Sequence, residues 1–147
     1  MNKTKIPWCD YDRGWLSAII DGEGWLSLIK EKRPEAKAGC TYKPIMGLSN
    51  KNKAIIEKAR VLLCANNKAW LHKDGVEMLA LTSNKLRVIL PEIKFIAKER
   101  QRLLLIEALE ILSVKVGKGV PRSDKSIIRL EKIYQELHLI NANSGGK

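Results

Sequence analysis

The sequence has no long apolar run, no closely spaced cysteines and few histidines. No apolar run approaches the ~18 residues that span a bilayer, and the first 13 residues contain no apolar stretch of a secretory signal. The three cysteines, Cys9, Cys40 and Cys64, include no CxxC pair and are accompanied by two histidines, which argues against a disulfide scaffold or a Cys/His metal site. We expect reduced, mostly packed cysteines in an intracellular protein, cytoplasmic or organellar, without a membrane partner.

Positive charge, in contrast, is abundant. The 147 residues include 27 Lys and Arg against 16 Asp and Glu, a formal net charge of +11. An excess of this size is typical of proteins with a polyanionic partner such as DNA, RNA or an anionic lipid surface. Hydrophobic residues make up 45% of the chain, far above the range in which chains stay disordered. Because no repeat or interdomain linker is visible, we expect a single domain over residues 1–147.

Apolar periodicity and turn residues predict an alternation of helices and strand pairs. The predicted helices are Asp12 to Asp21, one that begins after a cap at Ser49 or Asn50, Ser83 to Leu90, Ile96 to Val114, and Asp124 to Leu137. The predicted strands are Trp25 to Arg33, Thr41 to Ser49, Lys68 to Lys73, and Val76 to Thr82, with an Asp74-Gly75 hairpin turn. The last residues, NANSGGK, are expected to fray.

The strands come as antiparallel hairpins rather than as βαβ units, which favours an α+β fold: a four-stranded sheet with helices on one face. Strand alternation predicts Leu26, Leu28, Leu79 and Leu81 in the core. Pro44 indicates an edge position or an irregular strand, because proline cannot donate to the ladder. The predicted core spans residues 12–112, and a helical extension follows at 113–140.

Residues 16–24, LSAIIDGEG, carry most of the functional information. Asp21 and Glu23 stand at the C-terminal end of an apolar helix, where the helix dipole disfavours negative charge by about 0.3–1 kcal/mol each. Free carbonyl oxygens beside a carboxylate suit Mg²⁺, and glycines let the main chain approach a metal. Ala18 and Gly22, four residues apart, favour close contact with a second helix. The alternative is an ordinary helix end that turns into a strand.

This segment resembles the motif of the LAGLIDADG homing endonucleases. The matching residues are Leu16, Ala18, Asp21, Glu23 and Gly24. Ser17 and Gly22 depart from the motif's alanines, and both are compatible with tight packing. The family's αββαββα order also fits the elements predicted over residues 12–112. The resemblance implies a saddle-shaped, antiparallel four-stranded sheet with helices on one face, followed by C-terminal helices.

The family pairs two motif helices side by side, so one motif in this chain implies a homodimer. The residues implied at its interface are Leu16, Ala18, Ile19, Asp21 and Gly22. By the same resemblance, Glu23 binds Mg²⁺ directly, with the Gly22 carbonyl as a second ligand. Asp21 is expected to serve helix packing or capping rather than chemistry.

Two further catalytic residues follow from the resemblance. The family has a polar residue at the end of its second strand and a lysine at the start of a later helix, both around the active-site water. Asn50 and Lys98 occupy these places. A helix cap is the alternative for Asn50, and a solvated charge is the alternative for Lys98.

DNA contacts are expected on the open face of the sheet, where side chains alternate along the strands. The predicted contact residues are Ser27, Ile29, Glu31, Arg33, Thr41, Lys43, Trp70 and His72. A basic cluster of Lys115, Lys118 and Arg122 is expected on the DNA backbone. Packing at the sheet margin is the alternative for Trp70 and His72.

The resemblance implies a magnesium-dependent homing endonuclease. Such an enzyme would make double-strand breaks with 3′ overhangs in a long, near-palindromic DNA site, encoded within an intron or intein. One alternative is an intron maturase that binds RNA, or a DNA-binding protein of the same fold that does not cleave. Another is a basic structural protein of a nucleoprotein particle, which would bind without sequence preference.

Overall fold

The elements follow the order helix, two strands, helix, two strands and three helices in a computed structural model that describes residues 6–65, 70–71, 75–114 and 120–144. The helices are α1 (Asp10–Glu23), α2 (Lys53–Leu62), α3 (Ser83–Ile89), α4 (Glu99–Ser113) and α5 (Asp124–Ser144), with a 3₁₀ turn at Leu90–Glu92. The strands are β1 (Gly24–Lys32), β2 (Cys40–Asn50), β3 (Trp70–Leu71) and β4 (Glu77–Thr82). No helix of the described residues is long and apolar enough to cross a membrane.

The four strands form one antiparallel sheet in the order β1-β2-β4-β3, which confirms the predicted α+β class. Leu26 pairs with Met46, and Leu28 pairs with Pro44. These side chains are buried against the helices, as are Leu79 and Leu81 of β4. The side chains that alternate with them form the open face of the sheet. Gly75, with a φ of 83°, lies in the predicted hairpin turn, whose residues 72–74 lie outside the described part of the chain.

Pro44 lies in β2, an interior strand of the sheet, but at Pro44 this strand has a neighbour on one side only, so the expected edge position holds locally. The pairing between β2 and β4 begins only at Ile45, which is opposite Thr82. Pro44 therefore lies in the half of β2 that pairs with β1 alone. Because β4 has no residue opposite it, the missing N–H of proline costs no bond of that ladder.

Helix α1 is longer than its apolar periodicity predicts. It begins after Cys9, whose backbone N–H donates to Asp12 at 3.2 Å. Leu16 and Ile20 are buried in the core. Cys9 and Cys64 are exposed and Cys40 is half-buried, all three as free thiols, so the expectation that they are mostly packed is wrong.

Helix α4 begins at Glu99 rather than at Ile96, because residues 96–98 form a bend at its start. Leu103 was expected on its apolar face but is 47% exposed, whereas Leu104 and Leu105 are buried. Arg102 is also buried; it donates to the Leu90 carbonyl at 2.8 Å. These contacts hold the start of α4 against the preceding 3₁₀ turn.

Helix α5 extends to Ser144, beyond the predicted end at Leu137. Leu130, Ile133 and Leu137 join the core. In the segment expected to fray, Asn141 donates to the carbonyl of Leu26 in β1 at 3.0 Å. The helix therefore covers the free edge of β1. No local sequence pattern predicts this contact.

Candidate active site

Glu23 and Asn50 are in contact where α1 meets β2, and Lys98 contacts the same end of α1 through the Asp21 carbonyl. Glu23 is the exposed last residue of α1, Asn50 is the last residue of β2, and Lys98 stands at the N-cap position of α4. Gly24 makes this junction possible, since a Cβ there would lie 2.8 Å from the Ile20 carbonyl oxygen and 2.9 Å from that of Gly47. The close crossing of α1 over β2 thus requires a glycine directly after Glu23.

The Asn50 side chain is oriented by two hydrogen bonds. Its Nδ2 donates to Oε2 of Glu23 at 3.3 Å, and its Oδ1 accepts from the Asn52 backbone N–H at 2.7 Å. The cap of α2 is Asn52, which accepts from Ala54 N–H at 3.0 Å. The expected cap at Ser49 or Asn50 is therefore wrong, and the Asn50 amide contacts the acid.

Asp21 lies near Glu23 but has different surroundings. Its carboxylate accepts backbone N–H bonds from Ile96 at 2.8 Å, Ala97 at 3.1 Å and Lys98 at 2.9 Å. Partial burial raises the pKa of Asp21, but these three bonds and the Lys98 charge outweigh burial, so the pKa is lowered overall. Asp21 thus supplies the hydrogen-bond acceptor for the N–H groups of the bend that leads into α4.

The Lys98 ammonium donates to the main-chain oxygen of Asp21 at the end of α1. This places a positive charge at the negative end of the helix dipole, close to Glu23. Glu99 reinforces the same turn by accepting from Phe95 N–H at 2.9 Å. The pKa of Glu99 is lowered, chiefly by its hydrogen bonds with Arg102.

The described residues of one chain supply few side chains that could bind a metal ion. Among the described residues there is no group of three or more His, Cys, Asp or Glu side chains that could hold a metal ion. Mg²⁺ in nucleotide chemistry is typically held by one or two carboxylates together with phosphate oxygens and water. An exposed Glu23 beside the carbonyls of a helix terminus fits a site of that kind, completed by a substrate.

The open face of the sheet holds most of the residues predicted to contact DNA. Ser27, Ile29 and Thr41 are half-buried there, and Glu31 and Lys43 are exposed. Arg33 is exposed in the turn after β1, 4.0 Å from Glu35. The Trp70 side chain and all of His72 lie outside the described residues.

The basic cluster before α5 is only partly described. Lys115 and Lys118 fall outside the described residues. The Arg122 guanidinium donates to the carbonyls of Ile111, Leu112 and Val114 at 3.0–3.1 Å. Arg122 therefore caps the end of α4, which gives it a structural role, while its expected contact with the DNA backbone stays a prediction.

The residues expected at a dimer interface differ in how far they are exposed on the single chain. Leu16 is fully buried in its own chain, so the prediction that it faces a partner is wrong. Ile19 is half-buried, and Asp21 is used at the start of α4. Ala18 and Gly22 are exposed on α1, in line with Gly14. This outward stripe of Gly14, Ala18 and Gly22 is called the small-residue stripe below.

Three residues near the site were missed by sequence reasoning. The indole of Trp25 lies on Gly47 across the strand pair, since a Cβ at Gly47 would be 1.9 Å from Trp25 Cζ2. His138 and Asn141 of α5 reach the carbonyls of Leu28 and Leu26. The position of Trp25 directly after the motif was the available signal; nothing local marks the two α5 residues.

Comparison with known proteins adds to this geometry. No protein-family model and no curated protein sequence matches the chain. The archaeal intron-encoded homing endonuclease I-Vdi141I, complexed with DNA, is 20% identical with a TM-score of 0.75 over 89% of this chain and 84% of that chain. The homing endonuclease I-CvuI, in complex with its target in the presence of Ca, is 13% identical with a TM-score of 0.70 over 88% and 83%.

A third similar structure is longer. The I-LtrWI LAGLIDADG homing endonuclease, bound to target DNA, is 13% identical with a TM-score of 0.70, over 84% of this chain but 43% of that chain. All three similarities cover the sheet and its helices rather than a single motif. The chain therefore has the fold of the LAGLIDADG homing endonucleases.

Proposed function

We propose that the protein is a magnesium-dependent, site-specific DNA endonuclease that acts as a homodimer. The observation that carries the proposal is the contact between Glu23 and Asn50 at 3.3 Å, at the end of α1 whose Asp21 carbonyl binds Lys98. A carboxylate, an amide that orients it and a lysine make up a site for phosphodiester hydrolysis. The fold supports the proposal, since structures with this fold were solved with DNA.

Glu23, with the Gly22 carbonyl, would hold the metal ion. When bound, the ion would supply charge stabilisation on the phosphate and lower the pKa of a water molecule. Within the described part of the chain no group donates to Oε1 of Glu23, while Asn50 engages Oε2. Asn50 thus fixes the carboxylate and leaves one oxygen to act as a ligand.

Lys98 would stabilise the negative charge that develops on the phosphate. Its ammonium is held in place by the Asp21 carbonyl, and its backbone N–H is held by the Asp21 carboxylate. A charge held in advance near a reacting phosphate requires little reorganisation during the reaction. Asp21 acts through Lys98, as a positioning residue.

The small-residue stripe supports a homodimer. A Cβ at Gly14 or Gly22 would meet no described atom within 4 Å in one chain, so nothing in the single chain requires glycine there. Glycine inside a helix costs roughly 0.5–1 kcal/mol relative to alanine, and small side chains permit close helix packing. The chain also spans only 43% of I-LtrWI, as expected if two copies form one functional unit.

The proposal is tested by selecting cleaved duplexes from a random library with the purified protein in Mg²⁺. We expect recovery of one long, near-palindromic sequence cut on both strands with 3′ overhangs, and no cutting after chelation of the metal. Structured intron RNA is added as a competitor. Binding to that RNA without any DNA cleavage would replace the nuclease by the maturase alternative, and cutting without sequence preference would contradict site specificity.

A further inference from the structure

An apolar patch lies on the open face of the sheet, beside the candidate active site. Trp25 and Ile29 of β1 and Ile45 of β2 alternate with the core residues of those strands. All three are half-buried and so present part of their surface outward. These residues are called the apolar band. Two polar side chains lie beside them on the same face: Ser27 is opposite Ile45, and Lys43 is opposite Ile29.

The band is rigidly supported. The indole of Trp25 rests on the Gly47 backbone so closely that any side chain at Gly47 would displace it. An aromatic ring laid over a cross-strand glycine compensates for the side chain that the glycine lacks. The ring therefore lies along the sheet, and the band presents a broad apolar surface.

The same residues form the floor of a cleft of about 600 Å³. Lys98 of the active site lines one part of its wall, and His138 and Asn141 of α5 line another. No carboxylate from the described part of the chain lines the cleft. An apolar floor with a cationic and polar rim is complementary to duplex DNA, whose base edges would face the floor and whose phosphates would face the rim.

Base chemistry then restricts what the floor can read. In the major groove, the thymine methyl is the apolar group of an unmodified base pair, while guanine presents two acceptors and cytosine presents a donor. Apolar side chains can pack on this methyl, whereas an unmodified G·C pair offers no apolar group to compensate for the desolvation of its polar edge. A floor of this composition therefore favours A·T pairs.

We propose that the apolar band reads thymine methyl groups in the base pairs next to the cleavage position. The inference rests on the proposed function and specifies its substrate. Lys43 lies opposite Ile29 at the outer end of the band, and Glu31 follows Ile29 along β1, so the outer base pairs are read through hydrogen bonds. Each half-site thus has an inner A·T segment and an outer segment of mixed sequence.

The test begins with the selected target, bound by the full-length protein in Ca²⁺. Thymines of the inner segment are replaced one at a time by deoxyuridine, which removes only the methyl group. Each contacted position is expected to bind about fourfold more weakly, the fold-change for burial of one methyl-sized group. Deoxyuridine in the outer segment is the control, and it is expected to have little effect.

A second arm assigns the effect to the band. Ile45→Ser is expected to bind thymine and uracil targets alike, whereas Ile45→Val retains the preference. Val88→Ser, a change of an exposed valine on α3, is the matched control and retains it as well. Because the uracil substitutions are also measured with the unmodified protein, the outcome does not depend on the stability of the variants.

The possible failures are distinct. Selected sites with G·C pairs in the inner segment, or equal affinity of the unmodified protein for thymine and uracil targets, would overturn this inference and leave site-specific cleavage intact. Failure to select any sequence would overturn the proposed function and this inference with it.

Discussion

Asp21 and Glu23 are two residues apart, yet their surroundings assign them different tasks. Three backbone N–H groups satisfy Asp21, whereas Glu23 is exposed and contacts Asn50. The motif spacing could predict that an acid stands at the helix end. It could not predict that residues 96–98, more than 70 positions away, would use the first acid as their hydrogen-bond acceptor.

Asp21 is expected to stabilise the fold at neutral pH. Because its folded pKa lies below the unfolded value of about 3.9, its stabilisation is present above that pH and is lost as the pH falls through the folded pKa. Asp21→Asn is expected to lower the unfolding free energy by about 1–2 kcal/mol at neutral pH, measured by urea denaturation, and the difference from the unmodified protein shrinks below about pH 4.

Glu110→Gln, a change of an exposed carboxylate on α4, is the control for Asp21 and is expected to stay within about 0.5 kcal/mol. A constant difference between Asp21→Asn and the unmodified protein down to low pH would show that the charge of Asp21 has no part in the stabilisation.

Asn50 and Asn52 form a matched pair for separating catalysis from stability. Asn50→Ala removes a hydrogen bond to a charged group, which is worth about 1.5–3 kcal/mol, so cleavage is expected to slow by about 10- to 100-fold. Asn52→Ala removes the cap of α2 and is expected to cost about 1 kcal/mol of stability with an unchanged cleavage rate. Single-turnover cleavage and thermal unfolding measure the two effects. Equal cleavage rates for both variants would remove Asn50 from the site.

At the scale of elements, the helices and strands themselves were predictable, while their ends depended on tertiary contacts. Helix α4 begins late because Asp21 binds the turn before it. Helix α5 ends late because His138 and Asn141 reach the edge of β1. Pro44 is a third example, because the length of β4 decides which half of β2 must donate N–H groups to a second strand.

The contact of α5 with the edge of β1 is expected to contribute to stability. Asn141→Ala removes the bond to the Leu26 carbonyl and is expected to lower the unfolding free energy by about 1 kcal/mol. An uncovered strand edge also promotes association, so light scattering is expected to increase on storage. Asn143→Ala, at an exposed position of the same helix, is the control. Indistinguishable unfolding curves for the two variants would argue against a stabilising contact.

At the scale of the whole molecule, the outward face of α1 is expected to pair two chains. Ala18→Leu meets no crowding within one chain, because Ala18 is exposed, but would separate two closely packed helices. We expect a monomer by analytical ultracentrifugation. Its thermal unfolding is expected to be nearly unchanged, and a cleavage assay is expected to show no double-strand breaks. Ala54→Leu, on the exposed surface of α2, is expected to remain dimeric. An Ala18→Leu dimer would place the interface elsewhere.

The net positive charge of the chain is also best interpreted for the proposed pair of chains. Two chains would carry twice the +11 of one, spread around a centre that holds two glutamates. In the proposed dimer, positive charge outside would neutralise phosphates and make binding depend on salt, while the carboxylates at the centre would recruit the metal. Composition could predict a polyanionic partner. Only the fold shows that Glu23 contacts Asn50 and that Asp21 contacts Lys98.

The most direct measurement is strand cleavage by a mixed dimer. Wild-type and Glu23→Gln chains with different tags are coexpressed, and doubly tagged dimers are purified and added to a supercoiled plasmid that carries the selected site. We predict double-strand breaks with the wild-type dimer, nicks in one strand with the mixed dimer, and binding with cleavage slowed about 100-fold or more for Glu23→Gln alone. Double-strand cleavage at the wild-type rate by the Glu23→Gln dimer would contradict the assignment of Glu23 and, with it, the proposed active site.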